Sequence, residues 1–229
     1  MGSPRVAAVV TAAALTAGLL GGCGGSAGEP AATPTGEPAP ARAERSAAAA
    51  ADPATAGTAA EAALAVALRA SDLPEGWTVQ ANPVPDGDLA GNPSLAGICG
   101  VDLTSEARRT AKFPVVGVDP AGRAAVASEA IAYDSPAAGG LALTELRDAL
   151  ESCPAGDRTL VEPPALEGLT GTVVAARWQL EDGTTQDLVA QGRGAVVSVL
   201  IAEDAAAGAT AARGIAARLA ALPAAAVGR

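Results

Sequence analysis

The chain contains no histidine, and that absence removes more chemistry than any other feature of it. Histidine is the side chain that titrates nearest neutral pH and the commonest ligand of transition metals. Ser–His–Asp and Cys–His catalysis are therefore excluded, together with histidine-ligated zinc or iron. Lysine occurs once, as Lys112, and 15 basic side chains stand against 25 acidic ones, a net charge of −10. Binding to phosphate backbones needs clustered Lys and Arg, so nucleic acid is not an expected partner.

Other catalytic patterns are missing too. No serine stands at Ser-x-x-Lys spacing from Lys112, and no G-x-x-x-x-G-K loop links a strand to a helix. A glycosidase needs two carboxylates across a cleft, whereas Asp and Glu here fall at loops and helix starts. Asp86-Gly87-Asp88 with Asn92 invites a calcium reading. The stretch lacks the third acidic ligand, the central glycine and the terminal glutamate of an EF-hand loop, so an ordinary turn is expected. No catalytic residue, cofactor or metal ligand is assigned, and the chain is not expected to be an enzyme.

Alanine, by contrast, is abundant: 61 of 229 residues. With Arg preferred over Lys this has the look of a GC-rich coding bias, so alanine alone says little about structure. The first 22 residues read as a leader. Arg5 supplies a positive start, and Val6 to Leu20 is uncharged and apolar, short for a membrane span but suited to a signal-peptide core. Leu20-Gly21-Gly22-Cys23 follows and resembles the bacterial lipobox. Its small residues admit the extended chain to signal peptidase II, and the Cys23 sulfur takes the diacylglycerol. Cys23 is thus expected to be the mature N-terminus, lipidated (a palmitate-bearing lipoprotein) and held on the extracytoplasmic face of the cell membrane.

Residues 24 to about 56 contain Ala, Pro, Gly, Thr, Ser and Glu, with no Val, Leu, Ile or aromatic. Such a segment buries too little apolar surface to offset its ordering entropy and is expected to be a disordered tether, residues 23–56 counted from the anchor. As a coil it reaches roughly 30–35 Å. The folded unit is then residues 57–229, and it holds the other two cysteines. An even pair, Cys99 and Cys153, in an oxidising compartment reads as one disulfide, with neither C-x-x-C spacing nor a neighbouring histidine to favour a redox role.

Apolar periodicity gives the elements. Ala60, Ala63, Leu64, Ala67 and Leu68 lie at helical spacing, ended by Ser71-Asp72-Leu73-Pro74. A short strand is expected at Trp77 to Gln80, a loop carrying Cys99 at Asn82 to about Gly100, and strands at Ala107–Phe113 and Ala124–Tyr133. Ser135-Pro136 is an N-cap followed by proline, opening a helix whose Leu143, Leu146, Leu150 and Cys153 share a face. Thr172 to Leu180 alternates with the period of a half-buried strand, and Asp182-Gly183 is a hairpin signal. The run Ala195 to Ala202 is apolar on both faces and is expected to be the central strand. A closing helix from about Ala205 to Leu222 presents Ala211, Ile215, Leu219 and Leu222. Trp77 and Trp178, half of the four aromatics, are expected in the core rather than in a sugar pocket. Arg108, Arg109, Lys112 and Arg123 form the one basic cluster, either an anion site or a charge-balanced surface.

An internal similarity appears at an offset of 70: Gly122/Gly192, Arg123/Arg193, Val126/Val196, Ser128/Ser198, Ile131/Ile201 and Asp134/Asp204. Either a repeat or two convergent strand–helix units account for it. Both give the same fold class: α+β, an antiparallel sheet flanked by helices, with two similar strand–helix arms and one disulfide.

The sequence runs in the order lipobox, Pro/Ala tether, helix, Leu73-Pro74-Glu75-Gly76-Trp77, loop cysteine, two strands, helix ending at Cys153, hairpin, strand, helix. In that order it resembles actinobacterial lipoproteins and the extracellular sensor domains of actinobacterial serine/threonine kinases, the PknH-like family. The resemblance implies a sheet with helices around a ligand cleft. This chain has no kinase domain and lacks the second disulfide common there. The expected function is a membrane-anchored, non-enzymatic, sensor-like domain for a small ligand or an envelope protein. The competing expectation is a carrier of lipid or another apolar molecule, which needs a cavity of several hundred Å³.

Overall fold

The structure, a computed structural model, describes residues 51–81, 92–153 and 158–228. Cys23, the leader, most of the tether and Asp86-Gly87-Asp88 lie outside the described residues. Among the described residues seven strands form one antiparallel sheet: β1 (Thr78–Ala81), β2 (Arg109–Val118), β3 (Ala124–Tyr133), β4 (Arg158–Val161), β5 (Thr172–Leu180), β6 (Thr185–Arg193) and β7 (Val196–Ala202). Their order is β1-β2-β3-β7-β6-β5-β4. Among the described residues four helices pack on it: α1 (Ala59–Val66), α2 (Ala96–Cys99), α3 (Pro136–Glu151) and α4 (Ala205–Ala221). The expected α+β architecture, antiparallel sheet, flanking helices and Cys99–Cys153 disulfide are all present.

The apolar run of β7 stands fourth of the seven strands, the centre its two-sided hydrophobicity called for. Val196, Leu200 and Ala202 enter one core with α1 and α4; Val197, Val199 and Ile201 enter a second core with α3 and the α2 segment. We call these the first and second faces. Helix ends follow local chemistry. Thr58 and Glu61 cap α1 reciprocally, Ser135 Oγ accepts from Ala138 N at 3.2 Å, and Asp204 accepts from Ala207 N at 2.9 Å. A Cβ at Gly139 would lie 2.3 Å from the Gly194 carbonyl oxygen, so α3 rests directly on the β6–β7 turn.

The structure shifts several expected boundaries. The strand expected at Ala107–Phe113 is β2, which runs through Pro114 to Val118. Its neighbour β1 pairs only with Val115–Val118, so a proline at 114 removes no hydrogen bond on that side. Residues 107 and 108 belong instead to a 3-10 turn, Thr104–Arg108. The first helix stops at Val66 and buries Ala62, Ala63, Ala65 and Val66, while Leu64 is only partly covered. Residues 51–56, assigned by composition to the tether, join the folded unit. Pro53–Thr55 is a 3-10 turn, Ala56 packs on the first core, and Arg69 Nη2 donates to the Ala51 carbonyl at 2.6 Å.

Candidate functional site

The two halves of the sheet are arranged alike up to their helices. The strands β1-β2-β3 and β5-β6-β7 each run inward to the centre, where β3 and β7 pair, and each half then enters a helix. The helices diverge. α3 crosses the second face over β5 and β6, whereas α4 packs on the first face over β6 and β7. On the second face, among the described residues, α3 reaches β3 at its Ile131–Tyr133 end, and no long helix covers β2, the rest of β3 or the outer part of β7. Only the short α2 stands over them, and between α2 and the sheet lies an open cavity of about 310 Å³.

Strand register builds the floor of this cavity. Residues directly opposite on paired strands point to the same face. Val116, Ala127 and Ile201 form one cross-strand row, and Pro114, Glu129 and Val199 the next. All six line the cavity. The small Ala127 between two branched neighbours makes a trough, and Ile98 faces it from α2. A third row, Lys112, Ile131 and Val197, closes the end toward α3.

Glu129 is the only charged side chain of β3, in a strand otherwise dominated by alanine and apolar residues. Its Oε1 is 3.5 Å from Lys112 Nζ, beyond good hydrogen-bond distance, and its Oε2 is buried without a hydrogen-bond partner. The Lys112 side chain is 1% exposed and donates to the Asn92 carbonyl at 2.9 Å; the Glu129 side chain is 26% exposed. The carboxylate is therefore charge-compensated yet accepts no hydrogen bond among the described residues.

The α2 wall is fixed from four directions. Cys99 is bridged to Cys153 just beyond α3, with Cα atoms 5.1 Å apart. Arg158 Nη2 donates to the Ile98 carbonyl at 2.8 Å while its guanidinium stacks 4.4 Å above the Trp178 ring. Glu106 Oε1 accepts from Ser94 N at 3.0 Å and Ala96 N at 3.2 Å, and Arg109 Nη1 bonds both Glu106 Oε2 and Ser94 Oγ at 2.7 Å. The Lys112–Asn92 bond is the fourth. Below this wall Tyr133 is buried, and burial, reinforced by the charge of Glu106, pushes its phenol well above the ordinary range, so it stays a neutral hydroxyl.

The basic cluster does not assemble into one anion site. Arg108 pairs with Asp134 at 2.9 Å, Arg109 with Glu106, Lys112 with Glu129, and Arg123 with Asp119 at 2.8 Å. Trp178, 2% exposed, sits in the second core, as expected of a core aromatic; Trp77 packs at the margin of the first. Neither lines the cavity. Sequence reasoning passed over Glu129, although a lone charge in an apolar strand and the single lysine of the chain were the signals that pointed to it.

No protein-family model matches the chain, and no curated protein does so significantly. Among solved structures it is similar to the extracellular domain of PknH from Mycobacterium tuberculosis. The identity is 12% and the TM-score 0.42, over 63% of this chain and 77% of that one. A likeness of that degree bears on neither ligand nor role, and the functional reading rests on the residues of this chain.

Proposed function

We propose that this protein is a lipid-anchored extracytoplasmic lipoprotein whose folded unit is non-enzymatic and binds a small molecule between α2 and the sheet. The observation that carries the binding role is the cavity floored by Val116, Ala127, Ile201, Pro114, Glu129 and Val199. It has the make-up of a ligand site, largely apolar walls with one charged group, at the small end of the usual size range. That size favours a small molecule over a diacyl lipid as cargo. The anchor rests on the leader and the Leu20-Gly21-Gly22-Cys23 motif. The lack of histidine supports binding rather than catalysis.

Native mass spectrometry of the protein purified from its own envelope tests the binding role. A discrete small-molecule adduct, lost in Ala127→Phe, is the expected result, because Ala127 is exposed on the cavity floor and a phenyl ring there fills it. A bare mass, or an adduct unaffected by Ala127→Phe, would count against the site. For the anchor, Cys23→Ala should abolish lipid labelling and membrane partition; unchanged partition and mass would refute it.

A further inference from the structure

Resting on that reading of the cavity, we infer that its ligand is a neutral, largely apolar molecule that carries one hydroxyl group or similar hydrogen-bond donor directed at Glu129.

The argument begins with what Glu129 lacks. An ionised carboxylate has about four acceptor positions. This one accepts no hydrogen bond among the described residues, although one oxygen is buried. Oε2 is sealed from solvent, so the oxygen open to a ligand is Oε1, which has only Lys112 at 3.5 Å, and a donor brought in there supplies a hydrogen bond the carboxylate lacks. The carboxylate contributes to the cavity lining, where the other side chains of its row and the next are apolar: Pro114, Val199, Val116, Ala127 and Ile201. A molecule that fits these walls is apolar along its body and has its donor at one end.

Charge then separates the possible donors. Lys112 already balances Glu129 at 3.5 Å. A ligand ammonium at the carboxylate would stand within a few ångströms of the Lys112 ammonium, where two like charges near a protein surface repel by several kcal/mol at about 4 Å. A ligand carboxylate would meet Glu129 itself. A hydroxyl satisfies the acceptor without disturbing the balance. The volume of about 310 Å³ sets the scale of the molecule as one or two fused rings or an equivalent short chain.

Calorimetric titration of the full chain with four probes of one shape tests this: 2-naphthylmethanol, 2-methylnaphthalene, 2-naphthylmethylammonium and 2-naphthoate. The alcohol is expected to bind about tenfold tighter than the hydrocarbon, the size of one hydrogen bond to a charged acceptor, and tighter than either ion. In the double variant Lys112→Met with Glu129→Leu, which removes both charges together, the preference for the alcohol should vanish while the hydrocarbon still binds. Should that variant fail to fold, Glu129→Gln retains an acceptor oxygen without the charge, and the preference should fall severalfold. Equal binding of alcohol and hydrocarbon, tightest binding of either ion, or a preference that survives removal of Glu129 would overturn the inference and leave the cavity intact as a site. No binding of any probe would overturn the cavity reading as well.

Discussion

Glu129 stands directly opposite Val199 across the β3–β7 pair, and the two are also equivalents in the internal similarity, 70 residues apart. The local axis relating the two arms therefore passes between them. Residues flanking the axis pair in mirrored order, Val126 with Ala202 and Ala132 with Val196. At this pair the arms differ in chemistry, carboxylate against isopropyl, and it is the place over which α2 rather than a long helix lies.

Removing Glu129 alone should be worse than removing its pair. Glu129→Leu leaves the Lys112 ammonium buried without a counter-charge and should cost about 2–4 kcal/mol, less than a fully buried broken pair because Glu129 is partly exposed. Lys112→Met with Glu129→Leu should recover much of that loss. Urea denaturation of the wild type, Glu129→Leu, Lys112→Met and the double variant measures it; additive losses would show that the two charges do not interact.

The bridge should matter for the α2 wall more than for the sheet. Cys99 and Cys153 are 54 residues apart, and closing a loop of that length contributes about 4 kcal/mol in the chain-entropy description. Replacing both cysteines by serine should lower the melting temperature with unchanged sheet content. Hydrogen exchange should quicken first at residues 94–100. Titration of unfolded, unreduced protein should find neither of these two thiols free.

Trp178 should behave as a packed core residue. Trp178→Ala is expected to cost about 3–5 kcal/mol, the range for truncating a buried aromatic. Emission from this indole should be blue-shifted and unchanged by lipid vesicles, read in a Trp77→Phe background. A saturable lipid-dependent shift with little loss of stability would favour the carrier reading instead.

Acid should loosen the contact between α3 and the turn before β2. Glu145 on α3 accepts from Thr104 N and Ser105 N, each at 3.0 Å, and from the Thr104 hydroxyl. Burial by itself would raise this carboxyl, but these hydrogen bonds outweigh it and hold the group below the ordinary glutamate range. A carboxyl lowered on folding binds more protons unfolded. Its contribution is therefore complete above the unfolded value and is lost as pH falls through the folded one. Glu145→Gln should lower the melting temperature at neutral pH and flatten its decline on the acid side. An acid-side decline as steep as in the wild type would assign it to other carboxylates.

Strand identity was legible wherever period-two alternation was strong. β3 and β5 coincide with the stretches read from the sequence, and the Asp182-Gly183 turn joins β5 to β6. β4 was not, because Arg158–Val161 is a short edge strand with Thr159 and Leu160 exposed, and so carries no apolar rhythm. The burying face of the first helical segment was read in part: Ala63, Ala67 and Leu68 are buried, but Ala62, Ala65 and Val66 were missed because alanine surrounds that helix and erases its stripe. The cavity was out of reach for a different reason. It follows from α4 packing on the face opposite α3, and both helices are amphipathic in the same way. Periodicity says that a helix has a buried side, not which face of a sheet receives it.

The cluster at the start of the folded unit sets how the protein would bear a mechanical load. Arg69 ties the Ala51 carbonyl to the end of α1, where its Nη2 also bonds the Ala65 carbonyl at 2.8 Å. Three residues on, Asp72 grips Arg218 of α4 through two bonds of 2.6 Å. Tension arriving along the backbone from the N-terminal side therefore meets helix-to-helix side-chain bonds before it reaches any strand. These bonds must shear together, whereas an edge strand such as β1 would peel one hydrogen bond at a time. A domain pulled at this point keeps its sheet, and the cavity floor built on it, out of the first path of force.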